Sequence, residues 1–233
     1  MADLPYKTAL IIGAGAGISA ALARKLAAVG LGVALAARNI DKLAPLAAET
    51  GARTFAADAA NPAAVAALFA AVDAAIGPPD VVIYNASARA RGALATLDPA
   101  LVRQSIEITA FGAFLAVQQA ALRMLRHRHG AILLTGASAG VKGFPLSAPF
   151  AMGKFALRGL AQSAARELGP QGIHVAHFVI DGGVRSESRP VPADRPDSLL
   201  APASIAQTYC DVLAQPRDAW SMEVELRPWT ESF

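Results

Sequence analysis

Thr8-Ala9-Leu10-Ile11-Ile12-Gly13-Ala14-Gly15-Ala16-Gly17-Ile18-Ser19 is the stretch whose reading decides the fold. Thr8 to Ile12 has the apolar run of a buried strand. Three glycines follow, and then a helical pattern to about Val29. Glycine lets a backbone approach a pyrophosphate closely, and a helix N-terminus adds free N–H groups and positive dipole. Any tight strand-to-helix turn can use glycine, so the glycines alone say little. Their place between a strand and a helix marks Gly13, Gly15, Gly17 and Ile18 as a phosphate cradle.

The alternation continues outward from this turn. Gly32 to Ala36, Arg53 to Ala56, Asp80 to Tyr84, Ala131 to Thr135, Ile173 to Ile180 and Met222 to Leu226 read as six further strands. Between them lie helical patterns over Pro62 to Ile76, Pro99 to His127 with a break near Gly112, Pro149 to Leu168, and Pro202 to Ala214. Continuous apolar strands separated by helices predict a parallel sheet covered on both faces. Right-handed crossovers then give an α/β, doubly wound, seven-stranded sheet of Rossmann type, one dinucleotide-binding domain over 1–233. Gly182 to Pro202, with Pro190, Pro192 and Pro196, interrupts the rhythm. It reads either as a surface connection or as a substrate loop at the C-terminal edge of the sheet.

Bulk properties exclude several classes. The chain has 233 residues, 54% hydrophobic and 17% charged, enough for one domain with a substantial core. It has no uninterrupted apolar run of membrane-spanning length, so no membrane partner is expected. Met1 to Lys7 lacks the basic-then-apolar pattern of a secretory leader. The single cysteine, Cys210, rules out an internal disulfide and fits a cytoplasmic location. Net charge is +3. The densest basic cluster, Arg123, Arg126, His127, Arg128 and His129, precedes Gly130 at an expected helix end, where cations are favoured by the dipole. No nucleic-acid partner is therefore expected. His174 and His177 fall on opposite faces of one strand, and no metal site is expected.

Arg38 follows the second strand, in Leu35-Ala36-Ala37-Arg38-Asn39. An acid at this strand end would accept from a free ribose 2′-hydroxyl. Ala37 stands there instead, and the Arg38 guanidinium suits a 2′-phosphate. The expected cofactor is NADP.

These motifs resemble those of the short-chain dehydrogenase/reductase family, over essentially the whole chain. Gly13, Gly17 and Ile18 match its Gly-x-x-x-Gly-Ile-Gly turn, with Ser19 in place of the last glycine. Asp58 matches the aspartate that contacts adenine. Tyr84-Asn85-Ala86-Ser87 resembles Asn-Asn-Ala-Gly, and Asn85 and Ala86 match. Ala151-Met152-Gly153-Lys154 matches the tail of Tyr-x-x-x-Lys, and Asp181-Gly182 through Ser186 resembles the Pro-Gly…Thr turn.

The resemblance implies hydride transfer between nicotinamide and a carbonyl or alcohol carbon, with Asn, Ser, Tyr and Lys around the oxygen. Only Lys154 of these four is present. Phe150 takes the tyrosine place, Ala137 the serine place and Thr109 the asparagine place. Candidate substitutes for the missing acid are Lys154 itself, lowered by desolvation, Ser138 beside Ala137, and Tyr84 at the end of the fourth strand. Each also has an ordinary role: ribose binding, a turn, and the core. Arg89, Arg91 and Arg185 follow strand ends; they either line an anionic substrate pocket or are solvated loop residues. Two functions stay open. One is an NADP(H)-dependent oxidoreductase acting on a small activated carbonyl or conjugated substrate. The other is an inactive NADP-binding sensor or assembly partner. The small residues Gly153, Ala156, Gly159, Ala161 and Ala164 on the helix from Pro149 predict a homo-oligomer.

Overall fold

The computed structural model describes residues 4–231. Seven parallel strands, β1 (Thr8–Ile12), β2 (Gly32–Ala37), β3 (Arg53–Ala56), β4 (Val81–Tyr84), β5 (Gly130–Thr135), β6 (Ile173–Ile180) and β7 (Glu223–Leu226), lie in the order β3-β2-β1-β4-β5-β6-β7. The order reverses between β1 and β4, whose register pairs Ile12 with Tyr84. The loops after these two strands diverge there and open a crevice, the usual ligand position in such sheets.

Strand alternation sends side chains to two cores. Ala9, Ile11, Ile83 and Leu133 face α1 (Ile18–Ala28), α2 (Ala44–Thr50) and α7 (Pro202–Leu213). Leu10, Ile12, Val82 and Ile132 face α3 (Pro62–Ile76), α5 (Gly112–Met124) and α6 (Ala148–Leu168), and α4 (Pro99–Ile106) also packs against α6. Each fully buried Leu or Ile contributes roughly 1.5–3 kcal/mol before chain entropy is counted. A core of this extent can hold the buried amine of Lys154.

Three features depart from the sequence expectation. Helix α2 was not foreseen; it is seven residues long, with Pro45 in its first turn and Gly51 as a left-handed cap. The break expected near Gly112 is a π-helical turn, Glu107–Phe111, joining α4 to α5. A side chain at Gly112 would collide with the Tyr84 hydroxyl and the Ala59 carbonyl, so the helix needs glycine where it crosses β4. Third, Pro99–Met124 is, by length and composition, long and apolar enough to cross a membrane. Arg103, Glu107 and Arg123 interrupt it, and its Ala113, Ala116 and Ala120 lie against the sheet.

The segment after β6 folds back on itself. Val184 bridges Leu200, and Ser186 bridges Arg189. This returns Arg189 to the C-terminal edge of the sheet. The basic cluster before β5 serves the fold: Arg123 pairs with Asp73 at 2.8 Å, and His129 Nε2 lies 2.8 Å from the Pro5 carbonyl.

Candidate active site

Two recesses open at the C-terminal ends of the strands, on either side of Asn85. The first, about 330 Å³, runs from Gly13 past Ala37, Arg38 and Asp58 to Ile108. Gly13 has φ +84°, and a Cβ there would strike the Ala86 backbone, so glycine is required. Gly15 and Gly17 face open space. Helix α1 begins at Ile18 with no side-chain cap and no acid in its first turn, so its first N–H groups remain available. These residues fit a pyrophosphate. Arg38 lines the recess and has no hydrogen-bond or ion-pair partner among the described residues. Asp58 lines it too, with Oδ1 accepting from Ala60 N at 3.0 Å.

Asn85 and Ser19 join the two recesses. Asn85 Nδ2 donates to Ser19 Oγ at 2.7 Å, and Ser19 Oγ donates to the Gly13 carbonyl at 3.1 Å. The serine standing at the end of the glycine turn thus ties the loop after β4 to the loop after β1.

The second recess is a cavity of about 180 Å³ lined by Arg89, Ala137, Phe150, Lys154 and Arg189, among others. Lys154 is 3% exposed, and its Nζ donates to the Thr135 carbonyl at 2.6 Å. Burial, and then the charge of Arg89, pull its ammonium down from 10.5 to about 7. Phe150, one turn earlier on α6, is also buried and packs with Ala137 and Ala139. The Arg89 guanidinium lies 4.2 Å from the centroid of the Phe150 ring.

Other expected residues lie elsewhere. Tyr84 is 1% exposed, on the sheet face covered by α3 and α5, and its hydroxyl donates to the Ile108 carbonyl. Desolvation raises its pKa, so it is a poor acid, and it is not among the residues that line the cavity. Ser138 sits in a short 3-10 turn, Ser138–Gly140, outside the cavity lining. Thr109 Oγ1 accepts from Ala88 N at 3.2 Å, and its side chain packs where a Cβ of Gly153 would be. Arg185 lines a different recess, beside Gly17 and Arg24. Arg189, which the sequence reading missed, takes the cavity position instead.

His177 was also missed as a supporting group. It is fully buried beneath Gly136, and burial keeps its imidazole neutral at pH 7 by lowering its pKa. Its Nδ1–H donates to Glu223 Oε2 at 3.0 Å, and Arg158 holds the other Glu223 oxygen at 2.6 Å. Nε2 has no partner.

Comparison with known proteins agrees with this architecture. Residues 7–190 match the short chain dehydrogenase family. A 2,5-dichloro-2,5-cyclohexadiene-1,4-diol dehydrogenase of Sphingobium indicum is 35% identical over 190 residues, covering 80% of this chain and 76% of that protein. A short-chain dehydrogenase from Rhodopseudomonas palustris superposes with a TM-score of 0.84 at 37% identity, over 96% of this chain and 99% of the other. A metagenomic short-chain oxidoreductase solved in complex with NADP gives 0.85 at 30% identity, over 97% and 99%. The chain belongs to the short-chain dehydrogenase family and is an oxidoreductase of that type.

Proposed function

We propose that the protein is an NADP(H)-dependent reductase of an activated carbonyl or conjugated double bond, in which Lys154 handles the proton that a tyrosine would supply. One observation carries this reading: a desolvated amine and an apolar ring, Lys154 and Phe150, share the cavity next to the phosphate cradle. NADPH, when bound, supplies a hydride. As hydride reaches the substrate carbon, the π pair moves onto oxygen. Lys154 Nζ–H⁺ donates its proton to that oxygen, and the amine then regains one from water. An amine titrating near 7 is matched to this task at neutral pH. An activated substrate needs less help than a simple ketone, which suits a cavity with Ala137 and Phe150 around the oxygen.

The NADP preference rests on Arg38 and on Ala37 standing at the strand end where an acid would meet the ribose, supported by the NADP complex of the metagenomic relative. Charge-assisted hydrogen bonds contribute roughly 1.5–3 kcal/mol, so NADPH should bind about ten- to a hundredfold more tightly than NADH. Arg38→Ala should erase that ratio. Equal affinities in the wild type would overturn the cofactor assignment. NADPH binding without oxidation by any member of a broad panel of ketones, quinones and enones would overturn the reductase and favour a sensor.

The protein is also proposed to act as a homo-oligomer. The small residues of α6 divide: Gly153, Ala161 and Ala164 pack inward, while Ala156 and Gly159 are exposed. Beside these, Met152 and Phe155 of α6, Phe114 and Leu122 of α5, and Phe111 before it expose apolar surface. Such a patch favours self-association through equivalent helices. Light scattering at micromolar concentration should give a multiple of the chain mass, and a monomer would refute this arrangement.

A further inference from the structure

We infer that the cavity at Phe150 selects a small carboxylate, held by Arg89 and Arg189 with its reducible carbon toward Lys154. This deepens the reductase reading above and rests on it for the identity of the ligand as substrate.

The cavity holds three cationic side chains, Arg89, Lys154 and Arg189, and no acid among its lining residues. Asp181 lies in sequence between lining residues Ile180 and Gly182, but it is turned to Arg227 at 2.8 Å. Neither the Arg89 nor the Arg189 guanidinium has a carboxylate or carbonyl partner among the described residues. Among the described residues, the hydrogen bonds of Arg189 are backbone ones, in the bridge to Ser186. Arg89 is desolvated and repelled by Arg189 and Arg91, and both effects lower its pKa. Like charges gathered without a counter-charge are destabilising, and an anion entering between them removes that repulsion.

Phe150 gives the arrangement its geometry. Its ring is a flat, buried platform under the Arg89 guanidinium, and such stacking is favourable when the cation is partly desolvated. A guanidinium seated over a ring face, with no carboxylate or carbonyl partner among the described residues, keeps N–H groups for a carboxylate. The aromatic residue beside Lys154 is thus more than a lost hydroxyl; it seats the group that recognises the ligand. The cavity volume, about 180 Å³, falls below the roughly 300–1,000 Å³ common for drug-sized ligands, which favours a small acid. The cofactor phosphates do not account for Arg89. Their cradle runs from Gly13 to Ile18 and meets this cavity at Ile18, whereas Arg89 lies over Phe150.

The test is calorimetric titration of the protein, with and without NADP⁺, using acid–amide pairs from pyruvate and pyruvamide to benzoate and benzamide. At least one acid should bind about ten- to a hundredfold more tightly than its amide. Arg89→Gln should remove that preference while leaving amide and NADP⁺ binding unchanged. Arg89→Lys, which keeps charge but loses the two-pronged guanidinium, should restore it in part. Equal binding of every pair, no acid bound at millimolar concentration, or equal loss of NADP⁺ and acid in Arg89→Gln would each overturn the inference. NADPH oxidation separates it from the reductase reading. Acid binding without oxidation sinks only the reductase, and oxidation by neutral compounds alone sinks only the carboxylate.

Discussion

Lys154→Met is expected to lose reductive turnover and to flatten the pH dependence of stability on the alkaline side of neutrality. In the folded protein, burial brings the amine to about 7; in the unfolded chain it returns to its ordinary 10.5. Between those values the unfolded state holds about one more proton than the folded state. Stability from this group therefore rises with pH, by about 1.4 kcal/mol per unit in mid-window. Below pH 7 both states are protonated, and the cost of the buried charge is fully present. Methionine carries no proton in either state, so the variant should lack this slope. Chemical denaturation of both proteins at pH 7, 8 and 9 measures the difference. Parallel curves would mean that the amine is not desolvated.

The same titration governs turnover. A protonated Lys154 is the donor, so kcat for reduction should fall as pH rises through about 7. General acid catalysis contributes about 10²–10⁴-fold, and Lys154→Met should lose an amount in that range. A variant that keeps kcat within a factor of about ten would remove Lys154 from the proton path. Unchanged NADPH affinity in that variant would separate proton donation from a ribose-holding role.

What was legible in the sequence follows from which forces are local. The bounds of β1, α3 and β6 agree with the sequence reading because continuous apolar runs, a Pro at a helix start and glycine stops are local signals. Helix α2 is too short to show a period. Its signals were Pro45 and Gly51, the latter at φ +71°. At the site, Phe150 and Lys154 could be paired from one-turn helical spacing alone. Tyr84 could not be placed the same way, because its face of β4 depends on what covers the sheet. Helices α3 and α5 do so, and the π-turn puts the Ile108 carbonyl within reach of the phenol. Arg189 was invisible for a different reason. Its approach to the cavity depends on the Val184–Leu200 bridge, a contact that no local pattern encodes.

The remaining large effect concerns the pair Ala137 and Phe150, which touch in one small buried cluster beside Lys154. Phe150→Tyr adds one hydroxyl to a ring that already lines the cavity. By itself it should recover little reduction of simple ketones, because Ala137 still offers the developing oxyanion no hydrogen bond. Ala137→Ser alone should recover equally little, since it adds one hydrogen bond to the oxygen but no phenol to relay the Lys154 proton. The double variant brings both groups to the same oxygen, with Lys154 close enough to lower the new phenol. Such groups act as a unit, so the gain should be far from additive, about 10²–10⁴-fold over wild type. NADPH-dependent reduction of a broad ketone set by all four proteins measures this. The tyrosine ring keeps the platform under Arg89, so carboxylate binding should persist in every one of them. Strong wild-type activity on simple ketones would defeat the account. It would show that the oxyanion is already well held beside Lys154 without the serine and tyrosine, with Arg89 the first neighbour of Phe150 to replace.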